Sequence, residues 1–441
     1  MKGEALQRCI NVRCSLEYPV NEYRIRCENN HLLDIVYTRS INSSLKEKFY
    51  ARRNPEGNIY NESGVWRFRE LINFSQIDTD SYEECSKILV SLDGAEGRLS
   101  KPYKMSKVAD YVGMLHDYLL LQPEGYNPSG SFKDNGMATA LTHAKMLNVK
   151  KIICASTGNT SASAAMYASN EDVECDVYIP KGEVAPGKLA QAFQFGANII
   201  EVEGNFDDAL ATSLKESYKG AYTVNSLNPF RLEGQKTIVY RALEALDWEV
   251  PDWFVYPGGA LGNSSSATKA LMELYSWGWI KKIPRVAIIN AAGADTLYKI
   301  YNEVGLRWNK GSVDENTIIE YYNYMDKNNL KPKTEATAIQ IGRPSNILKA
   351  LRGLEFTNGV VERVEDKEMY DGMAVVGLNG FDCELASGAV PAGIKKLREK
   401  EIIKKDDIVI GILTGRQKDP MIPVKYHTDT RNRFARPPKR Y

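Results

Sequence analysis

Between residues 148 and 414, short apolar runs alternate with longer stretches whose apolar positions recur at helical spacing. The short runs predict strands over 149–154, 175–179, 197–202, 221–224, 253–256, 285–290 and 408–413. The longer ones predict helices over 137–146, 161–170, 188–195, 206–218, 231–248, 265–277 and 387–400. Strands that alternate with helices point to βαβ units and to parallel sheets covered on both faces. The expected class is therefore α/β. No internal repeat interrupts the alternation.

Three stretches depart from it. Residues 308–333 are polar and Tyr-rich, and are expected to form a surface excursion. Residues 421–441 carry Pro437 and Pro438 and six basic residues against one acid, and predict a solvated, extended arm. Residues 1–50 hold Cys9, Cys14, Cys27 and His31 at the spacing C-x4-C-x12-C-x3-H. Thiolates and an imidazole could form a zinc ribbon, but neither half has the usual C-x2-C knuckle. The expectation is a short structural β-element with incidental cysteines and no metal.

Composition narrows the field. The 441 residues are 43% hydrophobic and 26% charged, which rules out collagen-like, mucin-like and largely disordered chains. Lys plus Arg total 57 and Asp plus Glu 56, for a net charge of +1, so a general nucleic-acid binder is not expected. No apolar run approaches the ~20 residues of a membrane helix. The N-terminal residues show no apolar signal segment, and seven cysteines are too few for a disulfide scaffold. A cytoplasmic protein without nucleic-acid or membrane partners is expected.

Candidate chemistry lies in three loops. In 127–136 (NPSGSFKDNG) a Pro/Gly/Ser turn delivers Lys133 to the start of an Ala-rich helix. The positive end of a helix lowers the pKa of an amine, which suits Schiff-base formation. An ordinary surface lysine fits that segment equally well. In 155–163 (ASTGNTSAS) a loop rich in hydroxyls and glycine joins a strand to a helix, the geometry for binding an anion on backbone N–H groups. In 257–265 (PGGALGNSS) a second strand–loop–helix could cradle a phosphate, although it has neither dinucleotide nor P-loop spacing. A lysine, a carboxylate loop and a phosphate cradle together form the equipment for pyridoxal phosphate acting on an amino acid.

The segments 127–137 (NPSGSFKDNGM), 155–163, 225–237 (NSLNPFRLEGQKT), 338–346 (AIQIGRPSN) and 413–420 (LTGRQKDP) resemble threonine synthase. That family belongs to the fold-type II, tryptophan synthase β-like pyridoxal phosphate enzymes. The resemblance runs from about residue 95 to 420. It implies two open twisted sheets of parallel type with helices on both faces, and an active site between the domains. The expected domains are an N-terminal β segment (1–50), a large cofactor domain (51–110 with 226–420), a small domain carrying the lysine (111–225) and the tail (421–441).

The resemblance also implies roles. Lys133 matches the lysine that holds the cofactor and Asn159 the amide at its ring hydroxyl. Gly259, Ala260, Leu261, Gly262 and Asn263 match the loop around its phosphate, and Thr414 the hydroxyl at the pyridine nitrogen. Ser156, Thr157 and Thr160 match groups around the substrate carboxylate. Asn225, Ser226 and Arg231 match residues near the substrate's own phosphate. The implied reaction is loss of phosphate from O-phospho-L-homoserine and addition of water to give L-threonine, by a homodimer. Thr414 is a neutral partner for the ring nitrogen, which predicts a weaker electron sink and disfavours an aminotransferase. Retention of Lys133, Asn159 and Thr414 argues against an inactive cofactor-binding relative. Three departures from the family pattern stand out: Asn135 for an Arg, Ala260 for an Asn, and the shortened segment at 413–420. They leave open a related lyase acting on another activated amino acid.

Overall fold

The computed structural model describes residues 5–38, 40–53, 57–182, 186–204, 206–217 and 219–428. It divides into two units. The first comprises Met1–Ser100, Tyr126–Arg241 and Lys269–Lys281, the second Lys101–Gly125, Ala242–Thr268 and Lys282–Tyr441. Strands are numbered along the whole chain.

The first unit holds two sheets. β1 (Ala5–Cys9), β2 (Glu17–Pro19) and β3 (Leu33–Tyr37) form an antiparallel sheet in the order β2-β1-β3. β6 (Lys151–Ala155), β7 (Glu174–Pro180), β8 (Asn198–Val202) and β9 (Tyr222–Thr223) form a parallel sheet in the order β8-β7-β6-β9. The central strands are buried along nearly their whole length, which is why they read as continuous apolar runs. Edge strand β8 alternates exposed and half-buried residues.

The second unit holds a six-stranded sheet. Its members are β4 (Tyr103–Lys104), β5 (Leu119–Pro123), β10 (Trp253–Pro257), β11 (Arg285–Ala291), β12 (Val360–Val364) and β13 (Val409–Leu413). Their order is β12-β11-β10-β13-β5-β4, parallel except for the short edge strand β4. The pairs Leu121↔Gly411 and Val255↔Gly411 set the central register. Five helices carry the argument below: α1 (Lys133–Met146), α2 (Asn159–Asn170), α3 (Pro229–Ala245), α4 (Gly262–Ser276) and α5 (Leu385–Glu399). Among the described residues no helix is long and apolar enough to cross a membrane.

The units differ from the domains expected from sequence. Residues 57–100 fall with the lysine-bearing unit, because their polar groups bond to its helices. Arg241 Nη1 donates to the Gly64 carbonyl at 2.9 Å, and the Val90 N–H donates to Thr142 Oγ1 at 2.8 Å. Residues 101–125 fall with the six-stranded sheet because β5 pairs with β13. The Tyr-rich excursion contains a helix, Glu315–Lys327, capped by Asp314 and burying Ile318 and Met325. The tail begins as a helix, Met421–Thr428, where Tyr426 stacks on Tyr370 with centroids 5.7 Å apart. The expected arm beyond 428 lies outside the described residues.

A buried charge cluster fixes α3 within the first unit. Glu233 Oε2 lies 2.6 Å from Lys236 Nζ and 2.5 Å from the Tyr37 hydroxyl, and Glu233 also pairs with Lys269. Lys236 Nζ reaches Glu273 at 2.6 Å. Each buried charge has an opposite neighbour, the condition under which such burial is tolerated.

Candidate active site

In the first unit, Lys133 is the first residue of α1, with its Nζ 3.8 Å from the centroid of the Phe132 ring. The preceding turn closes through Gly130 N–H to Asn127 O at 2.8 Å, with Gly130 at φ +86°. Asp134, fully buried, ties the turn together. It accepts from the Ser129 N–H (2.6 Å), Ser129 Oγ (2.5 Å) and Ser163 Oγ (2.5 Å). Ser163 lies in the first turns of α2, so one carboxylate joins the lysine turn to the start of the hydroxyl-rich helix.

The expected carboxylate loop runs from the end of β6 into α2. Ser156 Oγ accepts from the Gly158 N–H at 3.2 Å, and Ser161 Oγ donates to Gly158 O at 2.7 Å. Thr157, Asn159 and Thr160 are half-buried at the helix start. The first N–H groups of a helix have no partner within it and favour an anion. The Asn225 side chain braces this loop, donating to Ala155 O and accepting from the Ala155 N–H, both at 2.9 Å. Its amide thus extends the pairing between β6 and β9.

Asn225 therefore spends both ends of its side chain on backbone. Ser226, next to it, is half-buried. Arg231 is buried, with Nη1 donating to Val224 O at 2.7 Å and Nε without a partner among the described residues. Burial lowers its pKa to about 10. Asn135 is equally internal: Arg241 Nη1 reaches its Oδ1 at 3.2 Å, and its Nδ2 donates to Phe132 O at 3.1 Å. The Asn135 departure thus lies in helix packing.

In the second unit, the glycine-rich loop joins β10 to α4. Gly258 N–H donates to Ile289 O at 2.7 Å and Asn290 Nδ2 to Gly258 O at 2.8 Å. Leu261 takes φ +64°, costing about 1–2 kcal/mol for a side chain with a Cβ. The 338–346 motif buttresses this loop: the Asn346 N–H donates to Ala260 O at 3.2 Å, and a Cβ on Gly259 would stand 3.1 Å from Ile339 Cα. Just beyond, both amide atoms of Asn263 and the Ser265 hydroxyl are buried without hydrogen-bond partners among the described residues. Orphaned polar atoms at a glycine-rich helix start fit a phosphate. Ser265 closes the 257–265 segment marked in the sequence as a phosphate cradle, although no role was assigned to it singly.

Thr414 follows β13 and sits in a hydroxyl chain. Ser387 Oγ lies 3.1 Å from Thr414 Oγ1 and accepts from the Thr414 N–H at 2.8 Å. Thr414 Oγ1 donates to Glu384 Oε1 at 2.9 Å. Glu384 stands at the N-cap position of α5 and was missed in the sequence, because thirty residues separate it from the threonine. Each unit thus carries groups that suit pyridoxal phosphate: the first an amine at a helix start, the second an anion cradle with unsatisfied donors and a hydroxyl backed by a carboxylate.

A family model described as pyridoxal-phosphate dependent enzyme matches residues 106–415. Threonine synthase of Methanocaldococcus jannaschii is 38% identical over 419 residues, covering 94% of this chain and 93% of the relative. The Methanosarcina acetivorans threonine synthase is 33% identical over 413 residues, covering 93% and 91%. Among solved structures, Escherichia coli threonine synthase superposes with a TM-score of 0.67 at 14% identity, over 95% of this chain and 90% of that one. Maize serine racemase gives 0.57 at 16% identity, over 74% and 90%. These structural likenesses confirm the fold-type II architecture, while the sequence likeness runs nearly end to end rather than through isolated motifs. On that ground the chain belongs to the pyridoxal-phosphate dependent enzymes and, among them, to the threonine synthases.

Proposed function

We propose that the protein converts O-phospho-L-homoserine and water to L-threonine and phosphate. The observation that carries this reading is the 38% identity to a threonine synthase over 94% of the chain. Pyridoxal phosphate, when bound, supplies a sink for the electron pair left at the substrate Cα. Lys133 would hold the cofactor covalently and, once displaced by the substrate amine, act as the base and acid at Cα. Asn159 would meet the ring hydroxyl and Thr414 the ring nitrogen. Gly259, Ala260, Leu261, Gly262 and Asn263, with Ser265, would hold the cofactor phosphate. Ser156, Thr157 and Thr160, with the N–H groups of α2, would hold the substrate carboxylate. Protons would leave Cα and Cβ, and the Cγ–O bond would break with release of phosphate. Protons would return at Cγ, which becomes the methyl group, and at Cα, and water would add its OH at Cβ while its remaining proton goes to the phosphate.

A specific observation favours a second reading of the leaving group. Asn225, matched to the substrate phosphate, spends both ends of its side-chain amide on Ala155, and Arg231 gives Nη1 to Val224 O. Ala260 supplies no side-chain donor. Under this reading the enzyme is a related lyase for a differently activated amino acid. A side-by-side kcat/KM comparison of O-phosphohomoserine, O-acetylhomoserine, O-succinylhomoserine and O-phosphoserine separates the two. Phosphohomoserine reacting fastest supports the first reading, and any other order overturns it. A cytoplasmic homodimer completes the proposal, by family likeness, and light scattering tests the dimer.

A further inference from the structure

The N-terminal cysteines that looked incidental in sequence are gathered in space. The ligating atoms of Cys9, Cys14, Cys27 and His31 all lie within 4.8 Å of one another. The sheet accounts for this: β1 pairs with β3 so that Cys9 stands opposite Leu33, just beyond the 27–31 turn. Two tight turns present the ligands. One closes through Cys14 N–H to Asn11 O at 2.9 Å and Cys9 N–H to Leu16 O at 3.1 Å. The other closes through Cys27 N–H to His31 O at 2.9 Å, with Asn30 in the left-handed region at φ +62°. The missing C-x2-C knuckles are therefore replaced by β-pairing.

The separations among Cys9, Cys27 and His31 match a metal's demands. With Zn–S of about 2.3 Å and Zn–N of about 2.0–2.1 Å, tetrahedral angles put two sulfurs about 3.8 Å apart and a sulfur and nitrogen about 3.6 Å apart. Cys9 and Cys27 Sγ are 3.7 Å apart. His31 Nδ1 is 3.5 Å from Cys9 Sγ and 3.6 Å from Cys27 Sγ. Outer contacts support the ligands. The His31 N–H points at Cys27 Sγ (3.4 Å), Asn29 Nδ2 at Cys14 Sγ (3.5 Å), and Asn11 stands against His31 Nε2 at 3.3 Å. Such contacts orient metal ligands and spread thiolate charge. Cys9 and Cys27 are buried while Cys14 and His31 are half-buried, which leaves an entry path.

We propose that Cys9, Cys14, Cys27 and His31 bind one zinc ion that locks the N-terminal sheet. Three soft thiolates and an imidazole in a closed tetrahedron select zinc and leave no open position for substrate, so the role is structural. The test uses the full chain purified without chelators. Elemental analysis should find about one zinc per chain that survives dialysis and leaves when an organomercurial caps the thiols. Cobalt(II) in its place should give the visible ligand-field absorption of a tetrahedral thiolate site. The double variant Cys9→Ser, Cys27→Ser should lose the metal. If that variant does not fold, the cobalt spectrum of the unaltered chain decides. A chain that takes up neither zinc nor cobalt with its thiols reduced overturns the proposal. So does peptide mapping of the freshly purified protein that joins Cys9 to Cys27 in a disulfide.

Discussion

Ser163 Oγ donates to Asp134 Oδ1 at 2.5 Å, so the residue next to Lys133 is bonded to the helix that would carry the substrate carboxylate. The bond is charge-assisted and buried, in the class worth about 1.5–3 kcal/mol. Ser163→Ala should therefore lower kcat/KM about ten- to a hundredfold, with KM rising as the loop loses its register. Ser163→Thr should restore most of it. An unchanged kcat/KM alongside lowered thermal stability would show that the bond only holds the fold.

Lys133→Ala should leave nothing for borohydride to trap. Reduction of the unaltered holoenzyme should fix the cofactor on the peptide containing Lys133, and the variant should release it on denaturation. Covalent label on another lysine of the variant would show that Lys133 is not the cofactor's anchor.

Glu384 changes what Thr414 can offer. With its proton given to Glu384 and one lone pair facing Ser387, the Thr414 oxygen keeps only acceptor capacity. A ring nitrogen meeting it would have to bring its own proton, which would make the ring a stronger electron sink than a lone threonine suggests. Glu384→Gln should weaken that hold. The nitrogen-15 resonance of labelled cofactor should move toward unprotonated pyridine in the variant. An identical resonance in both proteins would remove Glu384 from the relay.

His143 makes stability fall in mild acid. It is stacked on Phe230, with ring centroids 3.3 Å apart, and hydrogen-bonded to the Tyr222 hydroxyl and Val20 O. Burial lowers its pKa from 6.5 to about 3. The unfolded chain therefore takes a proton as pH falls through 6.5, while the folded chain refuses it until about 3. Its contribution is intact above pH 6.5 and is lost progressively below it, at about 1.4 kcal/mol per pH unit. Urea midpoints between pH 7 and pH 5 should show this slope, and His143→Gln should flatten it. Equal slopes in both proteins would contradict the assignment.

Gly234 is where α3 meets α1. A Cβ there would stand 1.9 Å from the Asn135 carbonyl oxygen. Gly234→Ala should therefore destabilise the protein by about 1–3 kcal/mol through overpacking, despite alanine's better helix propensity. A raised melting temperature would contradict this.

What could be read from sequence follows from burial. β6, β10 and β13 sit inside parallel sheets, so their runs of Ile, Val and Phe were visible without any partner. β12 was not, because Glu362 and Arg363 break the run. The turns over Trp66–Ser75 are buried all round and show no period. Lys133 and the glycine-rich loops stood out because special backbone chemistry leaves marks in composition. Which way an amide spends its hydrogen bonds leaves none. Asn225 and Asn135 could be matched to a family position but not assigned their contacts, and Glu384 and the Cys/His cluster depend on pairings that only the fold makes.

The antiparallel sheet of the first unit has a consequence for synthesis. Tyr37 bonds to Glu233 across 196 positions of sequence, and Tyr23 to the Thr223 N–H across 200. At about 5–20 residues per second, those partners leave the ribosome roughly 10–40 s after the sheet itself. These strands thus wait for partners made about 200 residues later before they can dock. Until then the ribbon over residues 5–37 has only its own short-range contacts to keep its strands from pairing with a neighbouring nascent chain.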